Sequence, residues 1–78
     1  MQDASELGVV LFHTNSAALR AEKKLIAGGL TVKLIPTPRE LSSDCGIALR
    51  FDWSLADCVR ALLEAAHVET EAIRRMQS

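Results

Sequence analysis

Two cysteines in different surroundings are the obvious chemical groups of this 78-residue chain. Cys45 sits in a polar run, Ser42-Ser43-Asp44-Cys45-Gly46, whereas Cys58 falls in a segment with helical apolar spacing, Leu55-Ala56-Asp57-Cys58-Val59-Arg60-Ala61-Leu62. The thiolate is the reactive form of cysteine, and a free thiol has a pKa of about 8.5. Nearby positive charge raises the thiolate fraction at neutral pH. Three sources are candidates here. His13 adds charge when protonated, Arg39 carries a permanent charge, and Thr14-Asn15-Ser16 can open a helix. A helix N-terminus offers roughly half a positive charge and unpaired N–H groups. Ser42 and Ser43 can donate hydrogen bonds to a bound anion, and Gly46 lets the backbone approach whatever the sulfur carries. Asp44 acts the other way, because a neighbouring carboxylate disfavours the thiolate. Cys58 lies on the apolar stripe of a helix and is expected in the core, where free cysteine packs as a small hydrophobe.

Other chemistries fit poorly. One cysteine and one histidine fall short of the three or four ligands that zinc takes, so no metal site is expected. His13 with Asn15 could sketch the partners of a cysteine nucleophile, but a chain this short leaves little room for a substrate cleft. Lys+Arg is 9 and Asp+Glu is 10, an even balance without the basic excess of nucleic-acid binders. Phe12, Phe51 and Trp53 are the whole aromatic complement, too few for a base-stacking platform. The longest apolar run, residues 9–12, is far below the roughly 20 residues of a membrane span. The first six residues are polar and acidic and do not read as a secretory signal, so a cytoplasmic location with reduced thiols is expected. Two cysteines also make no disulfide framework.

These residues must be positioned by a small fold. Residues 8–13 are apolar and partly β-branched, as a buried central strand requires. A helix over 17–27 follows Thr14-Asn15-Ser16, with Ala18, Ala21 and Leu25 on one face. Gly28-Gly29 stops it. Residues 31–35 form a second strand ended by Pro36, and residues 36–44 a polar, proline-bearing loop. In a third strand over 46–51, alternation puts Ile47, Leu49 and Phe51 on one face. A second helix over 55–66 has Leu55, Cys58, Val59, Leu62 and Ala66 on its apolar face, and Trp53 is expected to cover the base of the core. Residues 71–76 read as an edge strand, because Glu69-Thr70 interrupts any continued helical stripe. The chain is expected to be one domain, with residues 1–7 disordered and 77–78 a tail.

The order β-α-β-β-α-β predicts an α+β, ferredoxin-like sandwich, with an antiparallel sheet in the order 4-1-3-2 and both helices on one face. The end of the first strand then lies beside the start of the third. This brings His13 towards Cys45. The N-terminus of the first helix, the 36–44 loop and the end of the second helix near His67 share that edge. The uncovered sheet face makes a homodimer one expectation. Lys33 and Arg50, if they lie on that face, argue for a solvated sheet instead.

A resemblance points the same way. Phe12-His13-Thr14, the segment Ala18-Leu19-Arg20-Ala21-Glu22-Lys23 with its double glycine, Pro36-Thr37-Pro38-Arg39-Glu40 and Ser42-Ser43-Asp44-Cys45-Gly46 together resemble the selenium/sulfur carrier-like family, small bacterial domains of unsettled function. The likeness is strong over about residues 8–52 and looser beyond, where Arg74-Arg75 departs from the family's apolar final strand. It implies that Cys45 holds sulfur or selenium as a persulfide or perselenide and passes it between donor and acceptor proteins. No cofactor beyond that covalent atom is implied. The site residues expected on the combined reading are Cys45 as the reacting group, with His13, Thr14, Asn15, Ser16, Arg39, Ser42, Ser43 and Gly46 around it. The alternative is a non-catalytic ferredoxin-like module that binds a protein or a small anion through the same loop.

Overall fold

A computed structural model describes residues 6–41 and 46–76 of the chain. Four strands, β1 (Leu7–Leu11), β2 (Val32–Pro36), β3 (Ile47–Asp52) and β4 (Ala72–Met76), alternate with two helices, α1 (Asn15–Ala27) and α2 (Ala56–Ala65), in the order β1-α1-β2-β3-α2-β4. The sheet order is β2-β3-β1-β4, and every neighbouring pair is antiparallel. This is the predicted α+β ferredoxin-like arrangement, and the tail is a strand. Of the segment expected to be disordered, residues 1–5 lie outside the described residues, whereas Glu6 and Leu7 are held against the sheet. Leu7 pairs with Asp52 and Met76, and the Glu6 carbonyl accepts the Trp53 N–H at 3.2 Å.

β1 is apolar throughout because the sheet buries both of its faces. Val10 and Phe12 join Leu49 and Phe51 against Ala18, Ala21 and Leu25 of α1 and Val59 and Leu63 of α2. Each large apolar side chain buried there contributes about 1.5–3 kcal/mol. Val9, Leu11 and Ala48 form a second, smaller cluster on the opposite face. Its cover comes partly from the β2–β3 connection. A 3-10 turn, Arg39–Leu41, packs Leu41 on this cluster, and Glu40 and Leu41 border a small cavity with Arg75 and Met76 of β4. Because β2 and β4 are opposite edges, this connection crosses the width of the sheet.

Both helices end in the same way. After α1, the Leu30 N–H bonds the Leu25 carbonyl at 3.0 Å and the Gly29 N–H bonds the Ile26 carbonyl at 3.0 Å, with Gly29 at φ 89°. This double bond is the usual glycine-terminated cap. After α2, the Val68 N–H bonds the Leu63 carbonyl at 3.0 Å and the His67 N–H bonds the Glu64 carbonyl at 3.1 Å. There the left-handed residue is His67, at φ 57°.

Cys58 corrects the expected core. It is exposed and free, whereas Ala56, Val59 and Leu63 are the buried residues of α2. The helix is preceded by a separate 3-10 turn, Trp53–Leu55, whose start Asp52 caps by accepting the Ser54 N–H at 3.0 Å. The buried stripe therefore runs through Ala56, Val59 and Leu63. At about 100° per residue, Cys58 falls roughly a third of a turn outside it.

Candidate functional site

The site begins where β1 ends. Leu11 pairs with Ala48 of β3 and with Ala72 of β4, and Pro36 at the end of β2 pairs with Ile47. One end of the sheet thus gathers the exit from β1, the entry to β3, the exit from β2 and the entry to β4. His13 lies two residues past Leu11 and is exposed. Gly46, two residues before Ala48, is exposed on the facing strand, and a Cβ there would meet nothing within 4 Å. The Gly46 carbonyl accepts the Thr37 N–H at 3.1 Å, which closes the base of the β2–β3 connection.

α1 starts immediately after His13. Thr14 is its N-cap, with extended backbone and a hydroxyl that accepts the Ala17 N–H at 3.1 Å. Asn15 and Ser16 form the first helical turn, which carries no acidic side chain. Their amides lie outside the helix's own i to i−4 ladder, as helix starts require. The positive end of this 13-residue helix is therefore held at the same edge of the sheet as Gly46. The distal end of α2 is tied to α1 by a long hydrogen bond from the Arg20 guanidinium to the Ala66 carbonyl, at 3.5 Å.

The predicted site residues divide into three groups. His13, Thr14, Asn15, Ser16 and Gly46 are brought to one edge. Arg39 is exposed at the start of a 3-10 turn, two residues before Leu41, which packs on the face of the sheet opposite α1. Cys45, Ser42 and Ser43 lie outside the described residues, as does Asp44. Among the described residues no group of three or more His, Cys, Asp and Glu side chains could hold a metal ion.

Sequence reasoning missed the part played by Leu41. The signal was there, a lone leucine in an otherwise polar loop, but nothing local says which surface it covers. It also left open the placement of Lys33 and Arg50. Register puts them opposite each other on the face away from the helices. They line a cavity of about 720 Å³ with Leu30, Phe51 and Leu55, at the end of the sheet opposite His13.

The architecture is that of a ferredoxin-like α+β domain with helix α1 aimed at the edge where Gly46 enters β3. A family model described as "Putative Se/S carrier protein-like" matches residues 7–75, and the chain belongs to that family. No curated protein and no solved structure matches it. No helix of the described residues is long and apolar enough to cross a membrane.

Proposed function

We propose that this chain is a sulfur or selenium carrier of the cytoplasm, with Cys45 as the residue that is loaded and unloaded. Family membership over residues 7–75 supports the class. The observation that carries the chemistry is the β1–β3 register, because it sets the N-terminus of α1 at the edge where Gly46, the residue after Cys45, enters the sheet. In loading, the Cys45 thiolate attacks the terminal sulfur of a donor persulfide. A new sulfur–sulfur bond forms on Cys45, the donor's own bond breaks, and the donor leaves as a thiolate. No external oxidant or reductant is consumed. In delivery, an acceptor thiolate attacks the terminal sulfur and releases Cys45 as a thiolate. Selenium follows the same balance as a perselenide. His13, the first turn of α1, Arg39, Ser42 and Ser43 are the groups proposed to stabilise the anion.

Cys58 provides the test within the same molecule. It is exposed, so an alkylating agent can reach it without unfolding the chain. At neutral pH and limiting iodoacetamide, Cys45 is expected to be labelled well ahead of Cys58. Peptide mass mapping at early times reads the ratio, and equal labelling of the two thiols would contradict the proposal. Partner binding that survives Cys45→Ser with cellular function intact would instead favour a non-catalytic module.

A further inference from the structure

We propose that the chain forms a two-fold dimer in which β2 of one protomer pairs antiparallel with β2 of its partner and the outer flank of α1 packs across the same seam. β2 is an edge of the sheet, with β3 on one side and no strand on the other. The Thr37 N–H bonds the Gly46 carbonyl at 3.1 Å, one step beyond the Pro36–Ile47 pair. Backbone groups alternate in direction along an antiparallel strand. Residues 33, 35 and 37 therefore turn theirs towards β3, and Val32, Leu34 and Pro36 turn theirs away from it. Pro36 has no N–H to donate and sits at an outward position, where edge prolines are tolerated. Among the described residues, no hydrogen bond reaches the outward groups of Val32, Leu34 or Pro36. The N–H groups of Val32 and Leu34 and the carbonyls of Val32, Leu34 and Pro36 thus stand open.

α1 overhangs that edge with an apolar stripe. It packs over β2 and β3. One flank of α1 faces α2, since Arg20 bonds the Ala66 carbonyl and a Cβ on Gly28 would meet Leu62 at 2.8 Å. At about 100° per residue, Leu19, Glu22 and Ile26 lie on the other flank, towards the outer edge of β2. Leu19 is 47% exposed and Ile26 54%, the most exposed large apolar side chains among the described residues. Glu22 between them is half-buried, and its carboxylate is the polar cost of covering them. An open edge strand is a template for pairing, and β4 at the opposite edge blunts its own with Arg74 and Arg75, both exposed. β2 carries a single charge, Lys33, and its Val32, Leu34 and Ile35 are half-buried.

The strand is complementary to itself, which makes a second copy the occupant. A two-fold axis through Leu34 pairs Leu34 with its own copy and Val32 with Pro36 of the partner subunit. Each Leu34 N–H then donates to the other Leu34 carbonyl, and each Val32 N–H to the other Pro36 carbonyl. Lys33 falls opposite Ile35 of the partner subunit. An axis through Lys33 would instead set lysine against lysine, which destabilises a sheet. The axis through Leu34 stands perpendicular to the sheet and keeps both copies of α1 on one face, where their Leu19 and Ile26 cover each other across the seam. A two-fold contact also closes on itself, as most soluble oligomers do. The two edges where Gly46 enters β3 fall at opposite ends of the joined sheet. This inference does not depend on the carrier reading.

The test is sedimentation equilibrium of the parent chain, from micromolar to millimolar concentration with a thiol reductant present, joined to amide hydrogen exchange. A reversible dimer is expected, with the Leu34 amide increasingly protected as concentration rises. Leu19→Glu/Ile26→Glu should weaken the dimer at least about tenfold. Ala61→Glu/Ala65→Glu adds the same charges at exposed positions of α2 and should dimerise as the parent does. Exchange at Leu34 in the parent reads the edge without any variant, so a misfolded variant does not decide the matter. A parent chain that stays monomeric at millimolar concentration would overturn the proposal. So would a Leu34 amide already protected in the monomer, a dimer that leaves Leu34 exchange unchanged, or equal dimer affinity in the two double variants.

Discussion

A Cβ on Gly8 would lie 2.5 Å from Phe51 Cζ and 2.6 Å from Trp53 Cε3. Neither ring can step aside freely. Phe51 is buried, and the two rings stack with centroids 6.0 Å apart. Gly8→Ala is therefore expected to cost about 2 kcal/mol, the usual scale of overpacking, read as a lower urea midpoint. A midpoint equal to the parent's would mean that the ring pair is not fixed as described. His67 presents the opposite case. It occupies the left-handed position after α2 that glycine fills after α1, at a steric cost for a side chain of roughly 1–2 kcal/mol. His67→Gly should raise stability by about 1 kcal/mol once the greater freedom of glycine in the unfolded chain is counted. A fall in stability would show that the imidazole makes compensating contacts. Cys58 shows the limit of reading single residues. Helical spacing with Leu55, Val59 and Leu62 suggests a core position, yet it faces solvent on α2, with Asp57 and Arg60 close in sequence.

At the scale of elements, the sequence was informative wherever local pattern and burial agree. The apolar run of β1, the Ala18-Ala21-Leu25 face of α1 and the alternation of Ile47, Leu49 and Phe51 all predicted their surroundings, because each element buries a face that its own period defines. The tail was legible for a related reason, since Glu69 and Thr70 fall where a helical stripe would need apolar residues. α2 was read one phase out. A continuous helix from residue 55 puts Cys58 on the stripe, whereas the intervening 3-10 turn shifts the start to Ala56 and with it the buried face. The β2–β3 connection was illegible as structure, because Leu41 is held by strands distant in sequence. Leu41→Ala should cost about 1–2 kcal/mol, the loss of a half-buried leucine contact, and denaturant unfolding measures it. An unchanged midpoint would indicate that the connection does not rest on the sheet through this residue.

At the scale of the molecule, the fold separates two surfaces. One end of the sheet gathers His13, the start of α1 and Gly46, and the other end carries the cavity bordered by Lys33 and Arg50. The topology that makes this separation followed from the order of elements, since a split β-α-β arrangement has few alternatives. The neighbourhood of the thiol was legible only as an edge. Distances from Cys45 to His13 or Arg39 depend on how the connection between β2 and β3 is laid down, which local sequence does not encode. The 3-10 turn that carries Arg39 illustrates this, since only its Leu41 is fixed, by packing on strands distant in sequence. The central claim, that Cys45 carries a transferable sulfur, is tested most directly by intact mass spectrometry after incubation with glutathione persulfide. The account predicts the added mass of one sulfur on the parent chain and on Cys58→Ala, removed by a thiol reductant and missing in Cys45→Ala. Equal loading of Cys45→Ala and the parent, or loading that follows Cys58, would contradict it.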